Sequence, residues 1–216
     1  MAYVLGFFAA DGTMRRTNRD THFIEFHITD RELLERIKNT VGSNHCIATR
    51  DRADGWKLGY RLQIGSRQWF EDLSQLGFTP RKSNEMIFPR VPEQYLADFV
   101  RGYFDGDGNV YFKQHPRSDR DTLVWVFTSR FTSGSNGFLK ALHEALKKHA
   151  GVAGGRIATK ERGFELVFSR HDSLALYGFL YNTIPHGLLL ERKYRTFRRA
   201  VGILFPTVEH TMRVRA

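Results

Sequence analysis

The sequence predicts an α+β fold made of two pseudo-symmetric halves, each reading α-β-β-α-β-β-α. Three observations carry this prediction. The stretch "GFFAADGTM" at 6–14 has a near-copy, "GYFDGDGNV", at 102–110. The order of apolar periodicities that follows the first copy repeats after the second, as expected of a duplicated unit. No Ser- or Gly-rich linker interrupts the chain, and "FPRVPEQY" at 88–95 is the best boundary, giving halves 1–90 and 91–216.

In the first half a short apolar helix covers about 2–11. Strands follow near 13–17 and 21–29, turned by "TNRD". In 30–41, Leu33, Leu34, Ile37 and Val41 recur at helical spacing, and Asp30 suits the N-cap. Strands near 45–51 and 56–65 flank "RADG", a hairpin turn. Trp56, Leu58, Tyr60, Leu62 and Ile64 alternate with Lys57, Gly59, Arg61 and Gln63, so one face of that strand is core and the other wet. A helix over 67–78 ends at Gly77.

The second half opens with Pro92 and Glu93, good first-turn residues for a helix running to about 106. Strands near 109–114 and 122–129 follow, with Trp125 and Phe127 assigned to the core. "TSGSNG" at 132–137 reads as extra loop before the helix "NGFLKALHEALKKHAGV". Strands near 155–160 and 163–169 and helices in "SLALYGFLY" and "ERKYRTFRRAVG" complete the order.

The bulk properties narrow the partners. The 216 residues carry a formal charge of +10, with a pI near 9.9, which points to a polyanion, most often nucleic acid. Cations interleave with aromatic and β-branched residues, the pattern of a folded surface. The stretch from 190 onward adds Arg192, Lys193, Arg195, Arg198, Arg199, Arg213 and Arg215, which suit either a phosphate-gripping helix and tail or a solvated face. The lone Cys46 permits no internal disulfide and is expected to be buried or on an edge strand. The nine histidines show no metal-ligand spacing. No membrane span or signal peptide is read, so a cytoplasmic or organellar location is expected.

The repeated motif carries the chemistry. Gly102 and Gly106 lie four apart on one helix face, with Gly6 and Ala10 in the same places of the other copy. Small residues at this spacing let two helix backbones approach closely, which would bring Asp11 and Asp107 together at the helix ends. Two carboxylates beside two negative helix termini repel one another, unless a hard divalent cation lies between them. Gly12 and Gly108 are read as caps that turn the carbonyls of Ala10 and Gly106 toward such an ion. Clustered carboxylates with Mg²⁺ on a basic protein suit phosphodiester hydrolysis.

"VLGFFAADG" (4–12) and "VRGYFDGDG" (100–108) resemble the two signature motifs of single-chain LAGLIDADG homing endonucleases. "RKSNEMIFPRVPEQYLADFVRGYFDGDG" resembles that family's passage from first half to second, and the likeness spans essentially the whole chain. The resemblance implies paired motif helices and two saddle-shaped antiparallel sheets lying along duplex DNA. It implies that Asp11 and Asp107 bind the metal with the carbonyls of Ala10 and Gly106. Lys82 and Lys193 would sit beside the site, and Gln63 would order water, with Val167 as its counterpart in the other half. It implies Mg²⁺, with Mn²⁺ as a substitute and Ca²⁺ supporting binding only. The product would be a double-strand break with short 3′ overhangs in a long asymmetric target.

The two-stranded ribbons of such sheets suit the major groove. Base- or phosphate-contact residues are assigned to Arg15, Arg16, Arg19, Arg50, Arg52, Lys57 and Arg61 in the first half. In the second half they are Lys113, Arg117, Arg120, Arg156, Lys160 and Arg162. Ala9 stands where the resembling motif has an acidic residue, although not the metal ligand. The chain begins almost inside the first motif, so the native start is left open. Two other activities remain on this scaffold: an intron-RNA maturase and a non-cleaving DNA-binding regulator. A free-standing or intron-encoded protein is expected, acting as a monomer with no membrane and no protein partner required.

Overall fold

A computed structural model describes residues 1–50, 57–80, 85–117, 120–184 and 187–207. The described residues form seven helices and eight strands: α1 (Ala2–Asp11), β1 (Gly12–Arg16), β2 (His22–Ile28), α2 (Arg31–Thr40), β3 (Ile47–Arg50), β4 (Gly59–Gly65), α3 (Arg67–Gln75), α4 (Glu93–Asp107), β5 (Gly108–Pro116), β6 (Leu123–Ser133), α5 (Asn136–His149), β7 (Arg156–Lys160), β8 (Gly163–Phe168), α6 (Arg170–Tyr181) and α7 (Glu191–Leu204). The strands make two antiparallel sheets, ordered β1-β2-β4-β3 and β5-β6-β8-β7. The same order in both sheets is the α+β duplication that the periodicities predict.

The chain groups into two compact units. One holds Met1–Asp107 and Ile184–Leu190, so it contains both motif helices; the other holds Gly108–Thr183 and Glu191–Ala216. In the first unit Phe8 packs edge-on to Phe26 and Phe78, with ring centroids 5.9 and 5.5 Å away. Ile24 and Leu62 complete the sheet's inner face, and Leu33, Leu34, Ile37 and Leu73 come from α2 and α3. In the second unit Phe127, Phe131, Leu166 and Phe168 meet the apolar faces of α5, α6 and α7.

Local signals explain the element ends. Asp30 caps α2 by accepting from the Leu33 N–H at 3.0 Å, and Ser66 caps α3 through the Trp69 N–H. After α3, Gly77 turns at φ +89° while the Phe78 N–H reaches back to the Leu73 carbonyl, a helix stop that favours glycine.

Two expectations are corrected. "TSGSNG" is not extra loop: Thr132 and Ser133 extend β6, where they pair with Glu165 and Phe164, and Ser135 caps α5 through the Phe138 N–H at 3.1 Å. Its serines and threonine read as loop because they are equally good strand-edge and cap residues. Cys46 is exposed, one residue before edge strand β3, because that strand begins at Ile47. Gly12 caps α1 as expected, its N–H reaching the Phe8 carbonyl, with extended backbone at φ −83° and ψ 155°, and β1 starts there directly. It is glycine for space, since a Cβ there would meet Phe8 Cδ2 at 2.2 Å and the Phe8 carbonyl oxygen at 2.6 Å. The hairpin turn assigned to "RADG" lies outside the described residues.

Candidate active site and nucleic-acid interface

Helices α1 and α4 pack with backbones in contact, and the small residues show why. A Cβ on Gly6 would lie 1.9 Å from the Phe99 carbonyl oxygen, and one on Gly102 would lie 2.0 Å from that of Tyr3. Gly6 corresponds to Gly102 and Phe99 to Tyr3, so the contact is reciprocal. One turn on, the Ala10 methyl lies 2.3 Å from where a Gly106 Cβ would stand. Any larger residue at these places would force the helices apart.

This crossing draws the motif ends together. Asp11 Oδ2 lies 3.2 Å from the position a Gly106 Cβ would occupy, and Gly106 directly precedes Asp107. Asp11 and Asp107 are both half-buried at the last residue of their helices. Among the described residues no group of three or more His, Cys, Asp or Glu side chains has the arrangement of a metal cage. A pair of carboxylates with neighbouring carbonyl oxygens fits Mg²⁺, which keeps several waters and takes few protein ligands.

Asp105 takes the acidic place that Ala9 vacates in the first motif, and it is structural. It is buried and accepts from the Tyr3 hydroxyl at 2.7 Å and the Leu190 N–H at 2.8 Å. Arg101, also buried, lies over the Tyr3 ring and donates to the Leu188 carbonyl at 2.9 Å and to Asp98 at 2.6 Å. Together they tie 188–190 to the motif helices.

Strand register sorts the cations. Directly paired residues of antiparallel strands share a face. Thr13, Glu25 and Gln63 form one row of the outer face of the first sheet; Arg15 and Phe23 belong to another, and His27, Arg61 and Ala48 to a third, with Arg50 opposite Gly59. Arg15, Arg50 and Arg61 therefore share a face and make no ion pair among the described residues. Arg16 points to the opposite face and pairs with Asp20 at 2.6 Å, and its guanidinium holds the Asp20 carboxyl below the usual range. In the second sheet Lys113, Arg130, Arg156 and Lys160 share the outer face. Arg156 makes no ion pair there, whereas Lys160 and Arg130 meet Glu165 at 2.9 and 3.5 Å. Arg19, Arg117, Arg120 and Arg162 are exposed in hairpin turns, and Lys57 is exposed just before β4. Lys193 is buried in the first turn of α7. Arg52 and Lys82 lie outside the described residues.

Glu25, Arg130 and Glu165 are not among the residues singled out from sequence. The alternation of "HFIEFHI" put Glu25 beside His27 on the wet face, and "FTSRF" did the same for Arg130, so the signal was present. Gln63 sits where Val167 sits in the other sheet, because Leu62 pairs with Phe26 as Leu166 pairs with Phe131.

Residues 1–75 match the family of LAGLIDADG-like domains. The chain as a whole has the LAGLIDADG endonuclease fold. It superposes on the homing endonuclease I-WcaI bound to its DNA recognition sequence with a TM-score of 0.64, at 11% identity over 91% of this chain and 84% of that one. It superposes on the meganuclease I-SmaMI bound to uncleaveable DNA with a TM-score of 0.62, at 14% identity over 99% and 96%. For the LAGLIDADG meganuclease I-AabMI bound to uncleaved DNA the score is 0.61, at 15% identity over 98% and 91%. Among curated proteins, the chain is 25% identical over 183 residues to an uncharacterized protein of Methanocaldococcus jannaschii, covering 81% of this chain and 63% of that one. A second match, to the DNA-directed RNA polymerase subunit Rpo1C of the same organism, covers 50% of this chain but only 12% of the subunit, at 27% identity. The chain thus spans less than two thirds of the length of either curated relative. The LAGLIDADG fold places both motif helices in one compact unit here. No described helix is long and apolar enough to cross a membrane.

Proposed function

We propose that this chain is a site-specific DNA endonuclease that makes double-strand breaks with short 3′ overhangs, using Mg²⁺ held by Asp11 and Asp107 with the carbonyls of Ala10 and Gly106. The observation that supports it best is the reciprocal glycine contact between α1 and α4, which sets the Asp11 carboxylate against Gly106, next to Asp107. Such a divalent ion, when bound, supplies Lewis acidity toward a phosphodiester oxygen.

The remaining roles fall to the chain's own groups. Among the described residues Arg15, Arg50, Arg61 and Arg156 make no ion pair on the outer sheet faces, and they bind phosphates or guanine edges. Glu165 holds Lys160 and Arg130, fixing their side chains before DNA arrives. Lys82 and Lys193 stabilise charge that develops on phosphate. The DNA-bound relatives of this fold, and the calcium-containing complex of I-SmaMI with an uncleaved target, support a duplex substrate and a divalent ion.

The test is selection of cut ends from a randomised duplex library in Mg²⁺. The wild type is expected to yield one long target, while Asp11→Asn and Asp107→Asn bind that target and leave it uncut. Cutting by either variant at the wild-type rate would overturn the assignment of the carboxylates.

A further inference from the structure

A carboxylate is unexpected on a face built for a polyanion, yet Glu25 lies on the outer face of the first sheet, 8% exposed. Its two oxygens are both engaged: Gln63 Nε2 donates to Oε1, and His27 Nε2 is 3.2 Å from Oε2. As a carboxylate Glu25 only accepts, so both partners must present N–H to it. The Gln63 amide is thereby fixed one way round, with its carbonyl oxygen directed elsewhere.

The second sheet inverts this chemistry. The register that equates Gln63 with Val167 also equates Glu25 with Arg130, Arg61 with Glu165 and His27 with Thr132. The carboxylate and the guanidinium have exchanged strands, and the amide has become an isopropyl group. A fixed acceptor takes the exocyclic amine of adenine or cytosine in the major groove. An arginine takes the guanine O6 and N7, and an apolar side chain meets the thymine methyl.

We propose that Glu25 is a positioning residue that fixes Gln63 as an acceptor reading adenine or cytosine at one position of the target. On the same reasoning Arg130 and Val167 favour guanine or thymine at the corresponding position of the other half-site. This makes the two half-sites unlike from the protein's side, and it rests on the DNA-endonuclease reading above.

The test is binding selection from a randomised duplex library, without cleavage, for the wild type, Glu25→Gln and Gln63→Val, with thermal melting as the control for folding. The wild type is expected to prefer A or C over G or T at one position by about fivefold or more. Gln63→Val loses that preference or turns it toward T. Glu25→Gln relaxes it, because the freed amide can turn over, and both variants keep the preferences at other positions. An unchanged preference in a folded Gln63→Val variant overturns the proposal. A wild type that enriches no sequence at all instead overturns the endonuclease reading, so the two failures are distinct.

Discussion

Asp105 and Asp107 stand two residues apart in one motif and have unlike surroundings. Asp105 is buried with a phenol and a backbone N–H as donors, while Asp107 is half-buried at the helix end. Replacing Asp105 with Ala removes the acceptor it offers to the Tyr3 hydroxyl and the Leu190 N–H, at about 1–3 kcal/mol each. Asp105→Ala is therefore expected to lower stability by about 2–6 kcal/mol in urea unfolding, and Tyr3→Phe by about 1 kcal/mol. Cleavage should persist below the lowered melting temperature, because Ala9 already fills the equivalent place in α1. The aspartates ending the motifs were legible from their spacing alone. The partners that bury Asp105 were not, since one of them, the Leu190 N–H, belongs to a segment remote in sequence. Glu25 and Arg130 escaped for a similar reason: their parity is visible within one strand, but their partners depend on which strands lie side by side.

At the scale of elements, helix identity and order followed from periodicity and composition, as did the Asp30 cap and the Gly77 stop. The helix pairing followed from the small residues of the motif. What sequence misplaced was a boundary where one residue type serves two ends, at Thr132–Ser135; at Gly12 the cap was read but not its reason, the steric crowding by Phe8 that demands glycine. The paired helices give a clean comparison. Gly102→Ala drives a methyl into the Tyr3 carbonyl oxygen and is expected to cost about 2 kcal/mol or more by overpacking. Gly137→Ala, near the start of α5 with only the Ser135 hydroxyl oxygen 3.8 Å from the new methyl, is expected to gain about 0.5–1 kcal/mol from helix propensity. Equal effects of the two substitutions on urea midpoints would contradict the close approach of α1 and α4.

Across the whole molecule, the charge of +10 is distributed over the sheet faces in a pattern that composition alone does not reveal. The register selects Arg15, Arg50 and Arg61 for one face of the first sheet and Lys113, Arg130, Arg156 and Lys160 for one face of the second, and it removes Arg16 to the opposite side. The motif carboxylates sit at the helix ends that feed β1 and β5, the first strand of each sheet. One point decides the proposed chemistry, that Asp11 and Asp107 share divalent metal while DNA lies on those faces. Anomalous X-ray scattering from a crystal of the chain with its selected duplex and Mn²⁺ measures this directly. A manganese peak is expected about 2.1 Å from oxygens of both carboxylates. Manganese bound by other residues, with DNA in place and both aspartates turned away, would contradict it.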